Sequence, residues 1–163
     1  MKRLAIITSS DSGHQGQRED LSGPEIARIA KARGYQITHT IVLPDDSEQL
    51  QAEMIKIADE NVADLILTTG GTGFSGRDCM PEATNAIIER AVPGIPEAMR
   101  NFSMQFTKRA MLSRAAAGIR KQTLIVNLPG SPKAVRECLE YIIDELEHGL
   151  DILIGSATNC ARQ

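Results

Sequence analysis

Apolar residues in this chain fall into two kinds of run: short and unbroken, or recurring every three or four positions. Leu4 to Thr8 is unbroken and ends at Ser9-Ser10-Asp11, the pattern of a buried strand feeding a loop. Tyr35 to Leu43, rich in β-branched residues, predicts a second strand ending at Pro44-Asp45-Asp46. A third begins at Asp64 or Leu65 and runs into Gly70-Gly71-Thr72-Gly73. A fourth, Thr123 to Asn127, leaves through Leu128-Pro129-Gly130-Ser131-Pro132. Between these runs the period lengthens. Ile26, Ile29 and Ala30 oppose Arg28 and Lys31, which predicts a helix between Pro24 and Gly34. Leu50, Met54, Ile57 and Ala58 predict another, with Asp46 and Gln49, or Asp45 and Glu48, at capping-box spacing. Pro81 to Ala91 reads as a helix with Ile87 and Ile88 inward, broken by Pro93-Gly94. Ile95 to Phe106 reads as the next, with Ala98, Met99, Phe102 and Phe106 on one side. Ser113 to Gly118 is small and without period. Lys133 to Ile154 carries Val135, Leu139, Ile142, Ile143, Leu146, Leu150 and Leu153 at helical spacing, with Gly149 a predicted bend or break.

Strands alternating with helices predict an α/β fold, a three-layer α/β/α sandwich around a mostly parallel sheet. No repeat or linker interrupts residues 1–163, which predicts a single domain. Right-handed crossovers bring the four strand exits to one edge of the sheet. Ligands in such folds bind outside the carboxyl ends of the strands.

Composition narrows the function. With 163 residues, 18 basic against 21 acidic and a net charge of −3, the chain suits neither general nucleic-acid binding nor a membrane surface. Five aromatic residues (two Tyr, three Phe, no Trp) argue against a base-stacking platform. Cys79, Cys138 and Cys160 are far apart and form no C-x-x-C pair, so free thiols are expected. Asp78 beside Cys79 disfavours a thiolate, and Cys79 is expected to pack rather than react. The short apolar run after Met1 is too brief for a secretory leader or a span, and a cytoplasmic location is expected.

The candidate chemistry gathers in Thr68 to Thr84, TTGGTGFSGRDCMPEAT. Glycines let backbone N–H groups approach a ligand, and a turn beside a helix start favours an anion. The G-x-G-x-x-G at Gly71 to Gly76 follows the third strand, not the first, which disfavours a dinucleotide site, and no G-x-x-x-x-G-K-[ST] is present. A bare tight turn is the structural alternative. Asp45 and Asp46 can be helix caps. Asp45 and Asp78 on the same edge as a phosphate would need a cation to offset repulsion, which points to Mg²⁺. Arg77 can pair with a phosphate or lie on the surface, and the same two readings stand for Lys133. His14, His39 and His148 are scattered and carry no assigned role.

TTGGTGFSGRDCMPEAT, PGIPEAMR and LSRAAAGIRKQTLIVNLPGSPKAV together closely resemble the molybdopterin adenylyltransferase family, of the MogA/MoaB type and like the G domain of gephyrin. SDSGHQGQREDLSG and LPDD are similar to its first and second loops, so the resemblance covers nearly the whole chain. It implies Mg²⁺-dependent transfer of AMP from ATP to the terminal phosphate of molybdopterin, releasing pyrophosphate, by a homotrimer that hands its product to a molybdenum-insertion protein. By motif, Asp45 and Asp78 match the catalytic aspartates and would hold Mg²⁺. Gly70, Gly71, Thr72 and Gly73 match the phosphate-holding loop. Asp11, Asp20, Ser22 and Gly23 match the first-loop signature, and Ser10, Thr69, Arg77, Ser113, Pro129, Gly130 and Ser131 complete the implied binding site. Gly76 stands where the family commonly has Pro, which loosens the loop. Met80 stands where Thr is frequent, removing a capping hydroxyl. Family members without activity tend to lose the Arg-Asp pair, which Arg77-Asp78 keeps; a non-catalytic molybdopterin carrier or scaffold of the same fold is the alternative.

Overall fold

The structure, a computed structural model, describes residues 1–155; Cys160 lies outside them. Its elements in order are β1 (Arg3–Ser9), α1 (Asp11–His14), α2 (Ser22–Ala32), β2 (Gln36–Leu43), α3 (Ser47–Asp59), β3 (Leu65–Thr69), α4 (Met80–Ile87), β4 (Arg90–Ala91), α5 (Gly94–Ser103), β5 (Ala117–Arg120), β6 (Thr123–Leu128) and α6 (Pro132–Leu153), with a 3₁₀ turn at Lys108–Leu112. Among the described residues the sheet has six strands in the order β2-β1-β3-β6-β5-β4. The first four are mutually parallel, and β5 runs antiparallel to β6 and to β4.

The unbroken apolar strands are explained by burial on both faces. Alternate residues serve opposite layers. Leu4, Ile6, Leu65, Leu67, Leu124 and Val126 pack with Ile26, Met99, Leu139 and Ile143 from α2, α5 and α6. Ala5, Ile7, Ile66 and Ile125 pack with Leu50, Met54, Met80 and Ile87 from α3 and α4. This is the three-layer sandwich expected from the pattern. A small polar cluster sits inside it, made of Asn127, Thr68 and Thr84. Asn127 is fully buried. Its amide nitrogen donates to the Oγ1 atoms of Thr68 at 3.0 Å and Thr84 at 2.9 Å, and its Oδ1 accepts from the Ala116 N–H at 3.0 Å. It thereby joins β3, α4 and the lead-in to β5.

Several expectations change at element ends. The helix expected to reach Ala91 stops at Ile87, because Ile88 turns extended and half-buried and Arg90–Ala91 becomes an edge strand. The helix expected to reach Phe106 ends at Ser103, leaving Phe106 exposed. The ambiguous small-residue stretch supplies β5, where a Cβ at Gly118 would lie 2.4 Å from the Ile88 Cδ1 atom. Gly149 does not split α6; it is exposed within a continuous helix. Among the described residues no helix is long and apolar enough to cross a membrane.

Glu25 fastens α2 to α6. It accepts from Arg28 at 2.8 and 2.9 Å and from Arg136 at 2.6 Å, and Arg28 first, then Arg136, holds its carboxyl down to about 2 from 4.5. A depressed carboxyl stabilises the fold above its unfolded value and loses that contribution as pH falls through the folded value. Glu25→Gln should therefore lower the Tm by about 2–4 °C near neutral pH. The deficit should shrink between pH 4.5 and about 2. Circular-dichroism melts stepped through that range check it, and a deficit constant with pH would contradict the assignment.

Candidate active site

The carboxyl ends of β1, β2, β3 and β6 bring four loops together. Polar strand residues and glycines at the exits decide how closely they meet. Gly70 has φ +87°, and a Cβ there would lie 2.3 Å from the Ser9 carbonyl oxygen. A Cβ at Gly130, after β6, would lie 3.5 Å from Gly70 Cα. Three strand exits thus touch through backbone alone. Thr69 Oγ1 donates to the Pro129 carbonyl at 2.6 Å, and Ser22 Oγ donates to the Gly130 carbonyl at 2.7 Å, so β3 and α2 both hold the loop after β6. Ser131 caps α6 by accepting the Ala134 N–H.

Two cavities flank this contact. One, of about 320 Å³, is lined by Ser10, Asp20, Ser22, Thr69, Gly70, Gly130 and Ser131, joined by Thr8, Ser9 and Arg18. The other, of about 290 Å³, is lined by Thr72, Gly73, Ser113 and Pro129, with Arg100, Arg109 and Cys138 among its walls. Most residues implied by the first loop, the glycine loop and the β6 exit therefore reach one chamber or the other. Asp11, Gly23, Gly71, Asp45, Arg77 and Asp78 line neither. Asp45 reaches the lining through Ser9 and Gly23 through Asp20, while Arg77 is joined to Asp11 and Asp11 to Asp45, one step further out.

The carboxylates divide by partner. Asp46 is the α3 cap, accepting the Gln49 N–H at 2.9 Å. Asp45 does not cap the helix. It accepts from Ser9 Oγ at 2.6 Å and from the Asp11 N–H at 3.2 Å, while its own N–H donates to Asp11. Asp20 serves the start of α2, accepting the N–H groups of Ser22 and Gly23 and the Thr8 hydroxyl. A Cβ at Gly23 would fall 2.4 Å from its Oδ2, so the glycine is what lets Asp20 sit there. Asp78 folds back onto its own loop, accepting the Ser75 N–H at 3.0 Å. Asp45 and Asp78 bracket the glycine loop: Cβ atoms at Gly71 and Gly73 would lie 3.5 Å from Asp45 Oδ1 and 2.9 Å from Asp78 Oδ2.

Arg77 resolves its two readings partly. It is exposed but paired, donating to both oxygens of Asp11 at 2.9 and 3.0 Å across the site. The Arg77 guanidinium, with the Asp45 backbone N–H, holds the Asp11 carboxyl below the usual carboxylate range. Burial pushes the Cys79 thiol up, and Cys79 packs beside the α3–α4 layer, as its expected packing role requires. Met80, in place of a capping hydroxyl, is fully buried, and its N–H donates to the Gly71 carbonyl at 3.1 Å, so it props the loop from beneath. The sequence pattern marks Ser9 only as the start of an exit loop and gives Thr8 no role, whereas they fix Asp45 and Asp20; their signal is a pair of polar residues closing an apolar strand.

The family described as a probable molybdopterin binding domain matches residues 5–148. The molybdopterin adenylyltransferase of Helicobacter pylori J99 is 38% identical over 157 residues, covering 94% of this chain and 88% of that protein. That of Escherichia coli K12 is 37% identical over 145 residues, covering 87% and 74%. In structure, the molybdopterin biosynthesis enzyme MoaB of Thermus thermophilus superposes with a TM-score of 0.90 at 41% identity, covering 95% of this chain and 98% of that one.

Gly70→Ala should destabilise the protein by about 2–4 kcal/mol, because the new Cβ meets backbone and the residue must keep a positive φ. Gly76→Ala, where a Cβ meets nothing within 4 Å, should shift stability by less than about 0.5 kcal/mol. Urea unfolding of both variants checks the contrast; equal effects would mean the close approach is not what requires glycine.

Proposed function

This chain belongs to the molybdopterin-binding domain family, and we propose that it is a molybdopterin adenylyltransferase of molybdenum cofactor biosynthesis. Relatives that carry that name match most of the chain, and the geometry supports the same reaction. One observation carries most of the weight: Asp45 and Asp78 lie on either side of a glycine loop whose backbone is bare enough to meet a phosphate chain. The two cavities flanking the Gly70–Gly130 contact give each of two substrates, ATP and molybdopterin, a place against that loop.

In this reading an oxygen of the terminal phosphate of molybdopterin attacks the α-phosphorus of ATP. The bond from that phosphorus to the bridging oxygen breaks, and pyrophosphate leaves. The nucleophile is already ionised, so no strong base is required, and catalysis is alignment with offset of charge. Backbone N–H groups at Gly70 to Gly73 hold phosphate oxygens. Arg77, swung from Asp11, is available to a phosphate, and Asp11 is there to receive it back. Asp45, fixed by Ser9 and the Asp11 amide, keeps an oriented carboxylate beside the loop.

Mg²⁺ fits the donor set. Two carboxylates offer hard oxygens with spare lone pairs. Among the described residues no cluster of three or more His, Cys, Asp or Glu stands ready for a metal. Mg²⁺ is commonly held through one or two carboxylates, with water and substrate phosphates in its remaining positions. Bound there, Mg²⁺ would neutralise phosphate oxygens that gain charge.

The assembly we propose is a cytoplasmic homotrimer of single-domain subunits that passes its product to a molybdenum-insertion protein. A contact between subunits is supported by the apolar face of α5 and α6, where Phe102 stacks on half-exposed Tyr141 at 4.0 Å beside a cavity of about 440 Å³ lined by Val92, Ile95 and Leu153; the number three comes from the family resemblance. Sedimentation equilibrium should give three times the 17.7 kDa chain mass, and a monomer would count against it.

With molybdopterin and Mg·ATP, wild type should release pyrophosphate and Asp78→Ala should lose at least about 100-fold in kcat. EDTA should abolish release and Mg²⁺ restore it. Tight molybdopterin binding without pyrophosphate release by wild type would favour the non-catalytic carrier.

A further inference from the structure

The segment Gly73 to Asp78 leaves the protein surface, with Phe74, Ser75, Gly76 and Arg77 all exposed. Internally it has little to hold it. The Asp78 N–H donates to the Ser75 carbonyl at 3.0 Å, and the Ser75 N–H returns to the Asp78 carboxylate, closing one tight turn. Gly76 sits in that turn with no neighbour a Cβ would meet. Such a turn is held within itself, so where it sits depends on what holds its two ends.

Both ends are tied by one side chain from elsewhere in the sequence. Arg114 Nε donates to the Gly73 carbonyl at 2.7 Å, and its Nη2 donates to the Asp78 carbonyl at 3.0 Å. Nη1 is ion-paired with Glu82, in the first turn of α4. The Arg114 backbone N–H donates to the Thr72 carbonyl at 2.9 Å, so its main chain is pinned to the same loop. Three acceptors in three directions match a planar fork and not an ammonium. Arg77 supplies a second tie, but on the solvent side and through its own flexible side chain.

We propose that Arg114 is a positioning residue for Asp78: it clamps the entry and exit carbonyls of the turn, so that the carboxylate meets substrate at a fixed place. The inference rests on the reading that Asp78 acts in adenylyl transfer. Glu82 orients the clamp in turn, holding the guanidinium plane across the loop. The arrangement also gives a use to Gly76: without a ring to stiffen the turn, its placement depends on the ties at its ends.

The test compares Arg114→Ala, Arg114→Lys and Asp78→Ala in the full chain. Pyrophosphate release is followed with Mg·ATP and molybdopterin, alongside thermal melts and amide hydrogen exchange. Arg114→Ala should lower kcat by about 10–100-fold with KM for molybdopterin within about threefold, as expected when a reacting group is misplaced and not lost. Exchange at the Ser75 amide should accelerate while strand amides stay protected, and millimolar guanidinium should restore part of the rate. Arg114→Lys should also be slow, since an ammonium cannot reach all three acceptors; it carries the same test if Arg114→Ala does not fold. Turnover of both Arg114 variants within twofold of wild type, with Asp78→Ala inactive, overturns the clamp and leaves the catalytic reading standing. A loss that tracks general unfolding, with uniform exchange and no guanidinium rescue, also overturns it. Full activity in Asp78→Ala would instead remove the reading on which the clamp rests.

Discussion

The carboxyl edge of this protein depends on one steric constraint, the meeting of Gly70 with the Ser9 carbonyl and with Gly130. At the Ser9 contact there is no room for a side chain, and the left-handed backbone at Gly70 and Gly71 turns the chain away from β3 at once. Because β1, β3 and β6 are parallel neighbours, closing their exits to backbone distance brings loops from distant parts of the chain into one place. One chamber is lined by Gly70 and Gly130 themselves, and the other by their neighbours Thr72, Gly73 and Pro129. The polar bonds around the contact, from Thr69 and Ser22 to the carbonyls after β6, then fix the spacing without adding bulk.

The acidic residues around this point are not interchangeable, although they look alike in the sequence. Asp46 caps a helix start, Asp20 gives one oxygen to the start of α2 and the other to the Thr8 hydroxyl, and Asp11 is held by Arg77 and the Asp45 N–H. Asp45 and Asp78 hold only hydroxyl or amide donors and remain against the glycine loop. Local backbone geometry does the sorting. A residue whose carboxylate can reach the amide three positions on becomes a cap. Its neighbour, one residue earlier and pointing the other way, is left for the ligand.

Much of this was legible from residue pattern. The alternation of short unbroken strands with amphipathic helices specified the layers, since a strand buried on both faces has no other place to go. The convergence of four exits followed from crossover handedness. Less visible was what depends on tertiary contact. The strand pair β4 and β5 rests on Gly118 admitting the Ile88 side chain and the Arg90 carbonyl, which no local period announces. The choice between Asp45 and Asp46 as cap needed the direction of each side chain, and both spacings were acceptable. Thr8 reads as the end of an apolar strand and Ser9 as the start of a loop until Asp20 and Asp45 are seen beside them. Arg114 sits in a stretch of small residues with no periodicity, and its acceptors are main-chain carbonyls, which carry no mark in a sequence.

Asn127 has a consequence for how the sheet assembles. Its partner across the ladder is Thr68. If β6 paired with β3 one residue out of step, every side chain on β6 would exchange faces. The asparagine amide would then enter the layer occupied by Val126 and Leu128, away from Thr68, Thr84 and the Ala116 N–H, with each unmet polar group costing about 1–3 kcal/mol. Parallel strands of Leu, Ile and Val can slide past one another with little change in apolar contact. A buried amide that finds its partners only in one register makes the shifted pairings unequal to the correct one, and so favours the alignment that sets Gly130 against Gly70.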